Sequence, residues 1–172
     1  LVISGAPSGA VVTTNTKLRV KLNISTSRPQ DIDAFLVDPT GTRAILLTTD
    51  NPFPESGGTG NIYNNLTLTN IPSESSVFIN SNTLVAPYAS IYRMEGDVNV
   101  VPDMRGAAGA TLSTNACSGP TDPLCYTGTV PELTLVSGGG APINGTWTLR
   151  IFDDQANTVC NLISWQLDIS YD

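Results

Sequence analysis

Residues 144–172 read NGTWTLRIFDDQANTVCNLISWQLDISYD, and two stretches within this segment carry the same alternation. Trp147, Leu149 and Ile151 alternate with Thr146, Thr148 and Arg150. Ile163, Trp165, Leu167 and Ile169 alternate with Ser164, Gln166 and Asp168. A period of two sends successive side chains to opposite faces of a strand, so one set meets a core and the other meets water. Both stretches therefore predict β-strands, with two indoles on matching inward registers that anchor one end of a core.

The same pattern recurs upstream. Leu18, Val20, Leu22 and Ile24 alternate with Arg19, Lys21 and Asn23, and Leu66 and Leu68 alternate with Asn65, Thr67 and Thr69. Between them lie two unbroken apolar runs, Ala34-Phe35-Leu36-Val37 and Ala44-Ile45-Leu46-Leu47, separated by Asp38-Pro39-Thr40-Gly41. Asp at the first turn position, Pro with its preset φ at the second and Gly at the fourth predict a type I turn and hence a hairpin. Shorter strands are expected over residues 77–79 and 133–136. Residues 51–61 and 102–131, rich in Gly, Pro, Ser and Thr, read as loops. No run of ten or more residues holds a 3.6-residue apolar period, so little helix is expected. A chain of 172 residues fits one core. The expectation is an all-β, jelly-roll-like antiparallel β-sandwich over residues 15–172, preceded by residues 1–14 as an apolar strand plus flexible spacer.

Composition narrows the partners. Charged residues are 13% of the chain, well below the typical value of about 25%, so Thr, Ser, Asn, Gly and Pro supply much of the polarity, as on an extracellular surface. The net charge is −7, and the eight Lys and Arg are dispersed, leaving no basic stripe for nucleic acid or anionic lipid. No apolar run reaches the roughly 18 residues of a membrane span. The chain starts at Leu1 without Met or leader, as expected of a processed N-terminus or of a domain cut from a longer polypeptide. Asn-x-Ser/Thr triplets begin at Asn23, Asn65 and Asn144. Such triplets accept N-glycans only on a glycosylating secretory route, and alternation places Asn23 and Asn65 on wet strand faces. Cys117 and Cys125 bracket a short loop that a disulfide would close. Cys160 is then either a buried thiol or the partner of one of the other two. Together these features place the chain outside the cell or on its surface.

The C-terminal stretch resembles the P domain that accompanies subtilisin-like proprotein convertases of the kexin type. Gly145, Trp147, Leu149 and Asp153, followed by Leu162, Trp165 and Leu167, occupy the positions of that family's Gly-x-Trp-x-Leu and Leu-x-x-Trp-x-Leu signature. The upstream VKLNISTSRPQDIDAFLVDPTGTRAILLT is similar to its earlier pattern of alternating strand, Asp-containing turn, hydrophobic strand and Pro-x-Gly-Thr hairpin. Two features depart from the family: residues 157–161 replace the usual Asp-x-Gly step between the tryptophan strands, and Ser25-Thr26-Ser27 stands where a His is common. The resemblance implies a non-catalytic jelly-roll sandwich that stabilises a neighbouring protease domain, with calcium near acidic turns.

Chemistry on the chain itself is restricted. The absence of His removes Ser-His-Asp and Cys-His nucleophile activation and His-based zinc sites. Paired carboxylates leave a glycosidase open in principle, but acidic pairs at strand ends more often serve calcium or solvated turns. Asp31 and Asp33 fall on one side of an extended segment, and with Asp153 as a third ligand they form the candidate calcium site. Leu1-Val2-Ile3 is a short apolar β-former followed by a flexible spacer, residues 4–9. Such an arm either pairs within its own sandwich or adds to the next copy, and head-to-tail addition without closure builds a filament. The leading expectation is thus a structural building block that partners other copies of itself. The alternatives are an accessory domain of a secreted protease, and a carbohydrate-binding sandwich using Tyr63, Tyr88 and Tyr92 as surface platforms.

Overall fold

The computed structural model describes residues 1–29, 32–48, 61–75, 79, 87–94, 96–98, 140–153 and 159–171. Among them the chain forms strands and no α-helix: β1 (Val2–Ile3), β2 (Lys17–Ser25), β3 (Ile32–Val37), β4 (Ala44–Thr48), β5 (Asn61–Thr69), β6 (Ile91–Arg93), β7 (Gly96–Val98), β8 (Gly145–Thr146), β9 (Thr148–Asp153) and β10 (Asn161–Ser170). One four-stranded sheet has the order β10-β2-β5-β6 and the other β7-β4-β3-β9, while β1 and β8 form a separate pair. No helix among the described residues is long and apolar enough to cross a membrane.

The alternation of β2 does what its period dictates. Leu18, Val20, Leu22 and Ile24 are wholly buried and meet Ile32, Ala34, Leu36, Ile45 and Leu47 of the facing sheet in one apolar core. The unbroken runs of β3 and β4 have a different cause: both faces are buried. Phe35, Val37, Ala44 and Leu46 form a second cluster on the face turned away from the core, where Phe152 meets Phe35 edge-on at 5.8 Å. The turn between β3 and β4 closes as expected, with the Gly41 amide donating to the Asp38 carbonyl at 3.0 Å. The Asp38 carboxylate stiffens it by accepting from the Thr40 hydroxyl and the Arg43 amide.

Strand β2 pairs antiparallel with β10 and β3 pairs antiparallel with β9. Because β2 and β3 lie in different sheets, as do β9 and β10, the two ends of the chain run side by side and cross between the sheets together. This is the winding expected of a jelly-roll-like sandwich. Among the described strands the sheet pairings are antiparallel except β5 with β6, which is parallel.

Trp147 is fully buried and its Nε1 donates to the Ile143 carbonyl at 2.9 Å, which satisfies the one polar atom of the ring. Trp165 is half-buried against the same core. Strict alternation puts Ile163 inward as well, and here the structure differs: Ile163 is 56% exposed. The register of β10 on β2 slips between Leu162 and Ser164, so Ile163 is the extra residue of a bulge and turns out of the pleat. Asn61, expected to end a loop, begins β5. The loop expected over residues 102–131 and the short strand over residues 133–136 lie outside the described residues. Of the strand expected over residues 77–79 only Ile79 is described, and it is buried.

Candidate functional site

The N-terminal arm lies along residues 140–147. Val2 faces Thr146 and Ile3 faces Gly145 in antiparallel register. The Leu1 α-ammonium donates to the Trp147 carbonyl and the Trp147 amide donates to the Leu1 carbonyl, each at 2.8 Å. Further along, the Ile143 amide reaches the Ala10 carbonyl at 3.0 Å, Val11 bridges Pro142, and the Val12 amide reaches the Ala141 carbonyl at 2.7 Å. Residues 4–9 loop out between these contacts, turning through Gly5 and Gly9 at φ values of 101° and 79° that favour glycine.

Two side-chain arrangements hold the arm down. Val12 is buried, and Ile3, Ala6 and Ala10 pack partly against the core. Asn144 bonds one residue of the arm at two points: its Oδ1 accepts from the Ala6 amide at 3.1 Å and its Nδ2 donates to the Ala6 carbonyl at 2.8 Å. Beside it Gly145 has φ +135°, and a Cβ there would stand 2.7 Å from Pro39 Cβ of the β3–β4 turn. Leu1, Val2 and Val11 keep 48%, 74% and 41% of their surface exposed, so the arm offers apolar surface to solvent while its backbone is paired.

The other two sequons sit together on the outer face of the β10-β2-β5-β6 sheet. The Asn65 amide donates to Asn23 Oδ1 at 2.7 Å, and Asn23 Nδ2 donates to Ser164 Oγ at 2.8 Å. Asn65 occupies a positive φ of 53° where β5 slips register against β2, a conformation Asn tolerates better than most residues. Its side chain is exposed. The wet-face expectation for both residues thus agrees with the structure.

The acidic residues do not converge. Asp33 faces Phe152 across the β3–β9 pairing, whereas Asp153 faces Ile32. Directly opposed residues share a face of a sheet, so Asp33 belongs to the face of the outer aromatic cluster and Asp153 to the face of the main core. Asp33 is 1% exposed. Asp31 lies outside the described residues, and among the described residues no group of three or more His, Cys, Asp or Glu could hold a metal ion. The structure thus separates Asp33 and Asp153, two of the three expected ligands, onto opposite faces of the β3–β9 pair.

Cys117 and Cys125 lie outside the described residues. Cys160 is a free thiol, half-buried, and lines an opening of about 380 Å³ between β9 and β10 with Leu149, Ile151, Asp153 and Leu162. Burial and, secondarily, the Asp153 charge push its thiol up to about 11. Of the three tyrosines expected as surface platforms, two are interior and Tyr92 is half-buried. Tyr63 and Tyr88 are fully buried and stack with ring centres 5.5 Å apart, and Tyr92 meets Tyr88 edge-on at 6.4 Å. Burial pushes the Tyr88 hydroxyl up to about 12.

Sequence reading singled out Leu1, Val2 and Ile3 and missed the seat that receives them. Residues 140–143, Gly-Ala-Pro-Ile, have no strand period. Asn144 stood out only as a sequon, although its amide also ties the arm. No protein-family model matches the chain, and no characterised protein sequence or solved structure compared with it does so either.

Proposed function

We propose that the chain is a non-catalytic, extracellular building block that joins other copies of itself by exchange of the N-terminal arm. The observation that carries this reading is the pairing of residues 1–12 with residues 140–147 chiefly through backbone groups and small apolar contacts. Backbone pairing is indifferent to which copy supplies the strand, so a neighbour's arm satisfies the same seat at nearly the same free energy. An arm exchanged head to tail without closure generates a filament. Three sequons and a sparsely charged composition support a secreted, glycosylated setting.

The test uses the facing residues Val2 and Thr146. With Val2→Cys and Thr146→Cys in one chain, arm exchange gives a ladder of covalent multimers on non-reducing gels after oxidation. Neither single variant gives that ladder. A band at monomer mass alone, together with a monomeric elution on gel filtration, overturns the proposal.

The P-domain resemblance supports a second reading, in which this sandwich is the accessory domain of a secreted subtilisin-like protease. Its support is the Gly145-x-Trp147-x-Leu149 and Leu162-x-x-Trp165-x-Leu167 pattern, whose two tryptophans pack on the same core. The coding sequence ahead of Leu1 decides between the readings: a segment with the Asp, His and Ser of a subtilisin-type enzyme supports the accessory role. The carbohydrate reading loses its support with the burial of Tyr63 and Tyr88.

A further inference from the structure

Resting on the arm-exchange reading, we propose that the Asn144 side-chain amide is the latch of the arm, and that an N-glycan on this sequon and a docked arm exclude each other on the same seat. The argument starts from the two-point contact. Asn144 accepts from the Ala6 amide through Oδ1 and donates to the Ala6 carbonyl through Nδ2. An amide that meets both polar groups of one residue uses the N–H lying on the same side as its own oxygen, because only that hydrogen points the same way as the carbonyl. N-glycosylation replaces one Nδ2 hydrogen with the sugar C1 and makes a secondary amide. Secondary amides strongly prefer the trans form, in which the substituent lies beside the carbonyl oxygen and the remaining hydrogen points away. The sugar therefore occupies the position of the hydrogen that Ala6 uses.

Sterics add to this loss. Ala6 packs partly against the core, so a sugar on Asn144 stands where the arm must lie. Thr146, the third residue of the same triplet, faces Val2 in the β1–β8 pair, so a docked arm also covers the rest of the sequon. The other two sequons behave differently. Asn65 is exposed and its Nδ2 meets Asn64 Oδ1 at 3.4 Å, and Asn23 Nδ2 turns to Ser164 and Asn65. Glycans on either leave the arm untouched. A copy modified at Asn144 thus has a free arm to donate and a blocked seat, so it joins an assembly at one end only and limits its length.

The experiment reads arm docking by hydrogen exchange with mass spectrometry on the full chain made in a host that glycosylates Asn-x-Thr triplets. In molecules carrying a glycan on Asn144, the amides of Ala6 and Val12 exchange roughly tenfold faster or more than in unmodified molecules. Glycans confined to Asn23 or Asn65 leave them unchanged. Occupancy at Asn65 with Asn144 bare supports the same exclusion, the docked arm having withheld the sequon. Without any glycan, Asn144→Asp keeps the acceptor oxygens and lacks the donor, and loosens the arm likewise, while the parent chain made in a host that does not glycosylate keeps the arm protected. An arm equally protected with a glycan on Asn144, or in Asn144→Asp, overturns the proposal. Failure of arm exchange itself reads differently, as missing covalent multimers with the latch behaving as stated.

Discussion

At Cys160 burial and the neighbouring Asp153 carboxylate both oppose loss of the thiol proton, pushing it up to about 11 from an ordinary 9.0. The thiolate is the nucleophile, so at pH 8 Cys160 should alkylate about a hundredfold more slowly than an ordinary thiol, with a rate that climbs until the solution passes its raised value. Peptide-resolved mass spectrometry after timed iodoacetamide treatment measures this, and a rate that levels off near pH 9 contradicts it. Arg19 and Glu74 pose the complementary case. Glu74 is held below its ordinary value chiefly by its hydrogen bonds from Arg19, with a smaller contribution from the Thr69 hydroxyl, against an opposing effect of burial. A carboxyl lowered by folding stabilises the fold above its unfolded value, and loses that contribution as the pH falls through its folded value. With 34% and 23% of the two side chains exposed, solvent screening limits the pair to about 1 kcal/mol or less. Urea titrations should therefore show Glu74→Gln slightly less stable than the parent at pH 7, and the gap should close in strong acid.

Among the elements, the short β8 strand depends most on a single residue. Gly145 combines a left-handed φ of +135° with a close approach to Pro39, so Gly145→Ala strains the backbone and pushes the β3–β4 turn away. The expected cost is about 1–3 kcal/mol, read as a lower denaturation midpoint with the sequon intact, and an unchanged midpoint would show that the turn yields freely. How far each element was legible in the sequence follows from its environment. Strand β2 has one wet face and one dry face, so Leu18 to Ile24 announce it. Strands β3 and β4 bury both faces and announce only an apolar run, whose hairpin was given away by Asp38, Pro39 and Gly41. The bulge at Ile163 was illegible because an inserted residue leaves the local alternation intact and shifts only its pairing. Tyr63 and Tyr88 misled for another reason: a hydroxyl on an apolar ring suits surface and interior alike, and here the rings stack in the core, Tyr63 reaching the Pro29 carbonyl. The seat of the arm left no trace because residues 140–143 bind through backbone atoms, which every sequence possesses. Asp33 and Asp153 look like companions in sequence, yet one residue of register sends them to opposite faces.

For the molecule as a whole, the governing fact is that β2 pairs with β10 from the far end of the chain. Such contacts close very long loops before they return any stabilisation, which slows folding. Refolding from urea should take milliseconds to seconds, and stopped-flow tryptophan fluorescence follows it through Trp147. Recovery complete within tens of microseconds would mean that local pairs, and not this distant one, organise the transition state. Trp147→Ala should cost about 3–5 kcal/mol, because the ring fills the common core and no neighbour can take its volume.

The contact of the Tyr171 hydroxyl with the Gly5 carbonyl, at 3.4 Å, brings residues near the two ends of the chain to one spot. A short peptide can therefore splice Asp172 to Leu1, and a new opening can be cut at the Thr40–Gly41 turn, where the chain reverses in solvent. Such a circular permutant should reach the same fold with its arm tethered at both ends. With no free end left to the arm, each copy fills its own seat and lends nothing to a neighbour.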